Sequence, residues 1–163
     1  MTPEDVAEVL ERPAARELLS GALARLAYVA RDGTPRVVPI GFLWTGTAVV
    51  MCTSTNAPKV RSLAADPHAA LTIDTSESPP KILLLRGTVD LETVDGIPDE
   101  YLAMNDSSLV APDQRAAWEA EVRSLYKQMV RITLVPAWAK LIDFETTLPS
   151  AVEELVRRRD AGA

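Results

Sequence analysis

The run Val37-Val38-Pro39-Ile40-Gly41-Phe42-Leu43-Trp44 (VVPIGFLW, residues 37–44) has the composition of a β-strand and two residues that oppose one. β-Branched and aromatic side chains suit a pleated, half-buried surface. Pro39 cannot donate a ladder hydrogen bond, and Gly41 has no side chain to pack. A strand tolerates both at a corner or bulge, or where a flat molecule must approach its backbone. The neighbouring elements decide what kind of fold such a strand serves.

Upstream, Arg31-Asp32-Gly33-Thr34 is a hairpin signal, because Asp-Gly suits the positive backbone angles of a tight turn. It joins residues 22–30 (ALARLAYVA), read as a strand buried on one face although its alanines and leucines also permit helix, to a return strand over 35–44. Thr45-Gly46-Thr47 turns the chain into a third strand, 48–54 (AVVMCTS), and three such strands make a meander. Residues 58–65 then read as a short helix, with Asn56 as candidate cap and Pro67 as the stop. Strands follow at 68–75 and 81–92, the second with Gly87 as a bulge or bend. Helical spacing returns over 97–128, where Trp118, Val122, Leu125 and Met129 share a face. A strand over 130–145, broken by Pro136, and an amphipathic helix capped by Ser150 end the chain. At the N-terminus, Thr2 can cap a helix that has Pro3 and two acids in its first turn. Pro13 starts a second helix that ends near Gly21.

Six or seven strands joined mainly by hairpins, with one helix inserted after the third, predict a mostly β fold with flanking helices: a closed or partly closed antiparallel barrel. A doubly wound parallel sheet would need helices between its strands. Residues 1–163 read as one domain, with N-terminal helices over 1–20, a helical insertion over 93–128 and a C-terminal helix over 149–160. At 163 residues and 47% hydrophobic, the chain can build a core of its own. A formal charge of −6 with no basic tract argues against nucleic acid. No apolar run approaches the roughly 20 residues of a membrane span, and the first residues lack a signal-peptide core. The single cysteine, Cys52, excludes an intramolecular disulfide and suits a reducing compartment. A cytoplasmic protein without a membrane partner is expected.

His68 is the only histidine, so neither a His-rich metal site nor a Ser-His-Asp triad is expected. Cys52 lies in an apolar strand and reads as a small core residue rather than a nucleophile. No G-x-G-x-x-G or P-loop occurs, and the carboxylates are spread over solvated helix faces. An enzyme of this composition has to take its chemistry from a cofactor. One segment is suited to hold one: Thr53-Ser54-Thr55-Asn56-Ala57-Pro58-Lys59-Val60-Arg61, where a strand gives way to a helix. Helix N-termini expose unpaired amide donors that favour an anion. Lys59 and Arg61 add positive charge where the helix dipole disfavours it, which makes sense beside a phosphate. Ordinary solvated charge explains the pair equally well, since residues two apart point about 200° apart on a helix.

The ordered set of pieces over residues 25–74 (RLAYVARDGTPRVVPIGFLWTGTAVVMCTSTNAPKVRSLAADPHAALTID) resembles the pyridoxamine 5′-phosphate oxidase-like split β-barrel family of flavin and deazaflavin proteins. The shared plan is A-x-v-x-x-D-G-x-P-x-v-x-P, a strand ending in Thr, then K-x-R-x-L-x-x-D-P. The likeness covers 20–92 well and 93–145 in outline. Within the family the chain is more similar to the branch using the deazaflavin coenzyme F420. The C-terminal Arg-x-His element of true pyridoxamine phosphate oxidases is absent, which argues against pyridoxal phosphate synthesis.

The resemblance implies a six- to seven-stranded antiparallel split β-barrel that pairs as a homodimer with cofactor sites at the seam. It implies F420, or alternatively FMN, with Val38, Pro39, Ile40 and Gly41 walling the ring and Thr53, Ser54, Lys59 and Arg61 holding the phosphate. The implied activity is hydride transfer to an unsaturated small organic acceptor; a non-catalytic flavin or haem carrier is the alternative from another class. Tyr28, Trp44, Trp118 and Trp138 are candidate interface aromatics. No catalytic residue and no metal ligand is singled out.

Overall fold

A computed structural model of the protein describes residues 1–104, 111–144 and 146–162. The strand expected over 35–44 changes partner part-way. β2 (Pro35–Gly41) pairs antiparallel with β1 (Leu23–Val29), whereas β3 (Leu43–Trp44) pairs with β4 (Val49–Ser54). Phe42 is the joint between them, and its side chain is 1% exposed. After β4 come α3 (Pro58–Ala65), β5 (His68–Asp74), β6 (Ile82–Asp95), α4 (Asp99–Met104), α5 (Arg115–Leu125), β7 (Gln128–Ile142) and α6 (Ser150–Ala161). Ahead of β1 lie α1 (Pro3–Glu11) and α2 (Pro13–Leu19).

The sheet order is β2-β1-β5-β6-β7-β4-β3. Its two ends are consecutive in the chain, so the covalent link at Phe42 closes the sheet into a split barrel. The inner face carries Leu26 of β1, Leu71 of β5, Leu85 of β6, Ile132 and Leu141 of β7 and Met51 of β4, all buried in one apolar cluster. Strands β1 and β5 alternate buried and exposed residues, as a sheet with one face in the core must.

Pro39 has a local explanation. At the two ends of the β1–β2 ladder, Ala30 N–H donates to Thr34 O (2.9 Å) and Phe42 N–H to Ala22 O (3.2 Å). Bonded and non-bonded pairs alternate in an antiparallel ladder, so the odd-numbered residues of β2 turn their backbone groups away from β1. Pro35 and Pro39 are both odd-numbered, and neither removes a bond from the ladder. They also take two donors off an edge that would otherwise template another strand.

β7 spans 15 residues and β6 spans 14. Pro136 does not break β7: it sits opposite Gly87 at a register shift between Arg86 and Gly87, the bulge expected there. β4 follows β7 only from Met129 to Leu134, and α1 packs against β7. α1 is capped as expected, with Thr2 Oγ1 accepting from Asp5 N–H (3.2 Å) and the Asp5 carboxylate from Thr2 N–H (2.8 Å).

Several local expectations are corrected. The N-cap of α3 is Ala57, with no side-chain cap bond, and Asn56 lies outside the helix. Ser150 is the first residue of α6 rather than its cap; its hydroxyl accepts from Lys140 Nζ (3.1 Å). Met129 belongs to β7, while Leu125 points outward at 69% exposure. Of the helical stretch 97–128, residues 105–110 lie outside the described residues.

α4 and α5 cover the outer face of β4 and the first part of β7. Val50, Cys52 and Met129 are buried there with Met104 and Val122, beside a Tyr101–Trp118 stack with centroids 6.3 Å apart. Arg131 of β7 ties this layer down by donating to Glu92 (2.7 Å) and to Glu100 of α4 (2.9 Å). Elsewhere on the outside of the sheet, Leu23 and Val29 of β1, Val37 of β2 and Val135 of β7 are exposed. An apolar groove of about 620 Å³ runs there past Ala27, Val37, Ala70 and Trp138. Arg86 stacks on Trp138, 4.2 Å from the ring centroid.

Candidate cofactor site

β4 delivers Thr53 and Ser54 to the rim of the barrel, a short loop follows, and α3 starts at Pro58. Alternation along the strand sends the two hydroxyls to opposite faces. Thr53 meets α3: Lys59 Nζ lies 3.4 Å from Thr53 Oγ1. Lys59 is half-buried, and burial pulls its amine below the ordinary lysine value. Among the described residues no carboxylate pairs with it. A partly desolvated cation beside an uncapped helix N-terminus is suited to an external anion.

Arg61 stands apart from this pair, exposed and without a bond to Thr53, Ser54 or Lys59 among the described residues. Ser54 faces the other way, onto a polar groove of about 600 Å³ shared with Asn56 and the α5–β7 corner at Tyr126, Lys127 and Gln128. The four residues expected at the phosphate thus divide into a Thr53–Lys59 pair, a separate Ser54 and an outlying Arg61.

The four expected at the ring divide by parity. Val38 and Ile40 turn inward, Ile40 buried and Val38 packed on the core, so their side chains build the barrel rather than a ring wall. Pro39 and Gly41 lie on the outer face, and with Val37 they direct backbone groups to the free side of β2. Gly41 is not an open space. A Cβ there would lie 3.7 Å from Ala22 O and 3.8 Å from Met104 Sδ, ordinary contact distances. Met104 is a neighbour of this wall that the sequence did not reveal, because an insertion more than sixty positions away supplies it.

A cavity of about 780 Å³ between α1 and β3, lined by Val6, Leu10, Leu43 and Trp44, includes none of these residues. His68 is exposed and its Nδ1 bonds the Asp66 carboxylate (2.7 Å).

Cys52 is buried under α4, and burial first, with Glu100 adding to it, pushes its thiol up to about 12. Burial thus keeps the thiol in its protonated, unreactive form. The native protein is therefore expected to react with Ellman's reagent orders of magnitude more slowly than the urea-unfolded chain. Comparable rates would contradict a closed α4 layer.

Among solved structures the chain is similar to an F420 reductase, with 28% identity and a TM-score of 0.56, covering 85% of this chain and 98% of that one. It is similar in fold to a conserved hypothetical protein of Mycobacterium tuberculosis (14% identity, TM-score 0.60, covering 89% and 86%). A haem storage protein of Vibrio cholerae shares the fold too (15% identity, TM-score 0.59, covering 80% and 93%). No curated protein matches the chain. The family profile described as pyridoxamine 5′-phosphate oxidase matches residues 11–133, a span that takes in the partner switch at Phe42, the Thr53–Lys59 pair and most of the barrel. The chain belongs to the pyridoxamine 5′-phosphate oxidase family.

Proposed function

We propose that the protein is an oxidoreductase that binds reduced coenzyme F420 and serves hydride transfer to an unsaturated small organic acceptor, working as a homodimer. The observation that carries this reading is Lys59: a half-buried amine 3.4 Å from Thr53 Oγ1, with no acid opposite it among the described residues. Its fit is to a phosphate, which the uncapped amides of α3 would also receive. The free side of β2 supplies backbone groups at Val37, Pro39 and Gly41 for a planar ring, with Pro39 preventing a strand from taking that place. The likeness to an F420 reductase at 28% identity supports F420 as the occupant.

When bound, the deazaflavin supplies the hydride. The chain holds and orients: Lys59 neutralises phosphate charge, the edge of β2 fixes the plane of the ring, and α4 limits water on the Met104 side. The second subunit's place is the open outer face, where Val29, Val37 and Val135 leave apolar surface uncovered.

Titration with reduced F420, followed by its fluorescence, is expected to saturate in the micromolar range, with acceptor-dependent reoxidation on adding enones or quinones. Absence of binding at high micromolar concentration overturns the reading. A yellow protein carrying FMN as purified replaces F420 with FMN, and tight binding without turnover makes the protein a carrier. Gly41→Ala is expected to fold as the parent does, given the ordinary contacts its Cβ would make. It is expected to bind the cofactor about tenfold more weakly, the cost of one methyl pressed against a close-lying ring. Unchanged affinity would place the ring elsewhere.

A further inference from the structure

The C-terminal helix α6 buries none of its residues. Its sequence nevertheless has two faces: Val152, Leu155 and Val156 recur at three- and four-residue spacing and form one apolar stripe, with Ala151 beside it. Leu155 is 64% exposed. Arg159 continues the stripe by one turn, and Arg158 flanks it. The root of the helix is fixed. Lys140 Nζ donates to the Ser150 hydroxyl (3.1 Å), and Arg12, at the joint of α1 and α2, donates to Thr147 Oγ1 (2.7 Å). Beyond that root the stripe lies open, and a helix of this length draws little stability from itself without a packed face.

The cavity of about 780 Å³ between α1 and β3 has the complementary character. A void of about 150 Å³ holds a benzene ring, so the three apolar side chains of the stripe fit this cavity together. Its ionised lining groups, Glu11 and Arg16, are paired with each other. No free charge is left among the lining residues to orient a polar small molecule. Beside the apolar wall of Pro3, Ala7 and Leu10, α1 carries Glu4, Glu8 and Glu11 along one margin. Glu4 and Glu8 are four residues apart, where like charges repel and an arriving cation is favoured. Val135 lines the cavity and also belongs to the exposed apolar face proposed for the second subunit.

We infer that α6 is an exchanged arm: in the homodimer its stripe of Val152, Leu155 and Val156 fills the α1–β3 cavity of the second copy, with Arg158 and Arg159 against Glu4 and Glu8. The inference rests on the homodimer reading above and names what α6 adds to it. A second copy is favoured over an unrelated protein because stripe and cavity, basic end and acidic margin, all belong to one chain. The root of α6 is tied to Arg12, one residue past α1, so both halves of the exchange stand side by side in each subunit. That arrangement lets two arms cross a two-fold axis and close. The pairs the arginines hold within α6, Arg158 with Glu154 and Arg159 with Asp160, are exposed and cost little to exchange. Glu11 aside, both α1 and α6 lie outside residues 11–133 matched by the family profile, so the family's barrel does not account for them.

Sedimentation equilibrium of the full chain at low salt tests this. The parent is expected to be a dimer, and Leu155→Asp is expected to raise its dissociation constant at least about thirtyfold, because each dimer loses both arms. Leu155 is exposed in its own chain, so the circular dichroism spectrum is expected to stay as it is. Arg158→Glu/Arg159→Glu and Glu4→Arg/Glu8→Arg are each expected to weaken the dimer about tenfold, and the chain carrying all four changes to return within about threefold of the parent. A dimer that none of the variants weakens leaves the homodimer reading standing and overturns the arm. If, in addition, the denatured parent releases a stoichiometric small molecule, the cavity belongs to that ligand. Weakening by Leu155→Asp with no rescue among the charge variants overturns the α1–β3 seat. A parent that is monomeric at high micromolar concentration overturns the homodimer reading and the arm with it.

Discussion

Lys59→Met is expected to weaken binding of reduced F420 about a hundredfold, close to 2.7 kcal/mol, within the range of a hydrogen bond to a charged partner. The apoprotein should at the same time melt at an equal or higher temperature. The two expectations have one source. With no anion bound, the Lys59 amine is partly desolvated, which lowers its proton affinity, and no acid pairs with it among the described residues; methionine fills similar volume without that cost. A lysine kept for stability would show the opposite, a lower melting temperature with little change in binding. The pH dependence has a definite sign. The amine carries its charge below its pKa and loses it as pH rises through that value, so binding by the parent should weaken toward alkaline pH while the Lys59→Met protein stays flat. Arg61→Ala should cost only a few-fold, because Arg61 is exposed and would act on a bound phosphate only through solvent. An effect of Arg61→Ala as large as that of Lys59→Met would mean that the helix reorients on binding.

What the sequence made legible was contiguous. The Asp32-Gly33 turn, the strand ending at Ser54 and the helix from Pro58 each depend on neighbours a few positions away, and each lies where it was expected. The change of partner at Phe42 was hidden because a strand's composition states that it pairs, not with which strand. Pro39 and Gly41 were signs of it, yet they equally suit a ligand wall, and only the ladder parity separates the two roles. The division of Thr53 from Ser54 follows from a period of two and was readable in principle; which face met α3 and which met α5 was not. Met104 and Lys127 come from the insertion, whose docking is set by tertiary burial of Cys52, Val122 and the Tyr101–Trp118 stack. The helical periodicity that grouped Met129 with Trp118 failed because the chain leaves the helix at Tyr126, whose N–H closes on Val122 O.

Gly87→Ala is expected to lower the free energy of unfolding by about 2–3 kcal/mol, the range of a strained overpacking. In a chain of this length that is a fall of roughly 5–10 °C in the melting temperature. A Cβ on Gly87 would lie 2.5 Å from the carbonyl oxygen of Val135, well inside the 3.0 Å that real Cβ contacts respect. That oxygen belongs to backbone and cannot rotate aside as a side chain would. Val135 is followed by Pro136, whose ring fixes φ, and both lie in the centre of the longest pairing in the barrel. Relief therefore has to come from spreading β6 and β7 at the bulge, which disturbs the register that seats Leu85 and Ala139 inside and Arg86 and Trp138 outside. Gly41→Ala is the control, since its Cβ meets nothing closer than 3.7 Å. Urea titration of the two variants decides the matter: equal and small losses would show that the bulge yields without cost. A loss confined to Gly87→Ala, joined by weaker self-association, would support the proposed homodimer and tie the bulge to the apolar outer face it shapes.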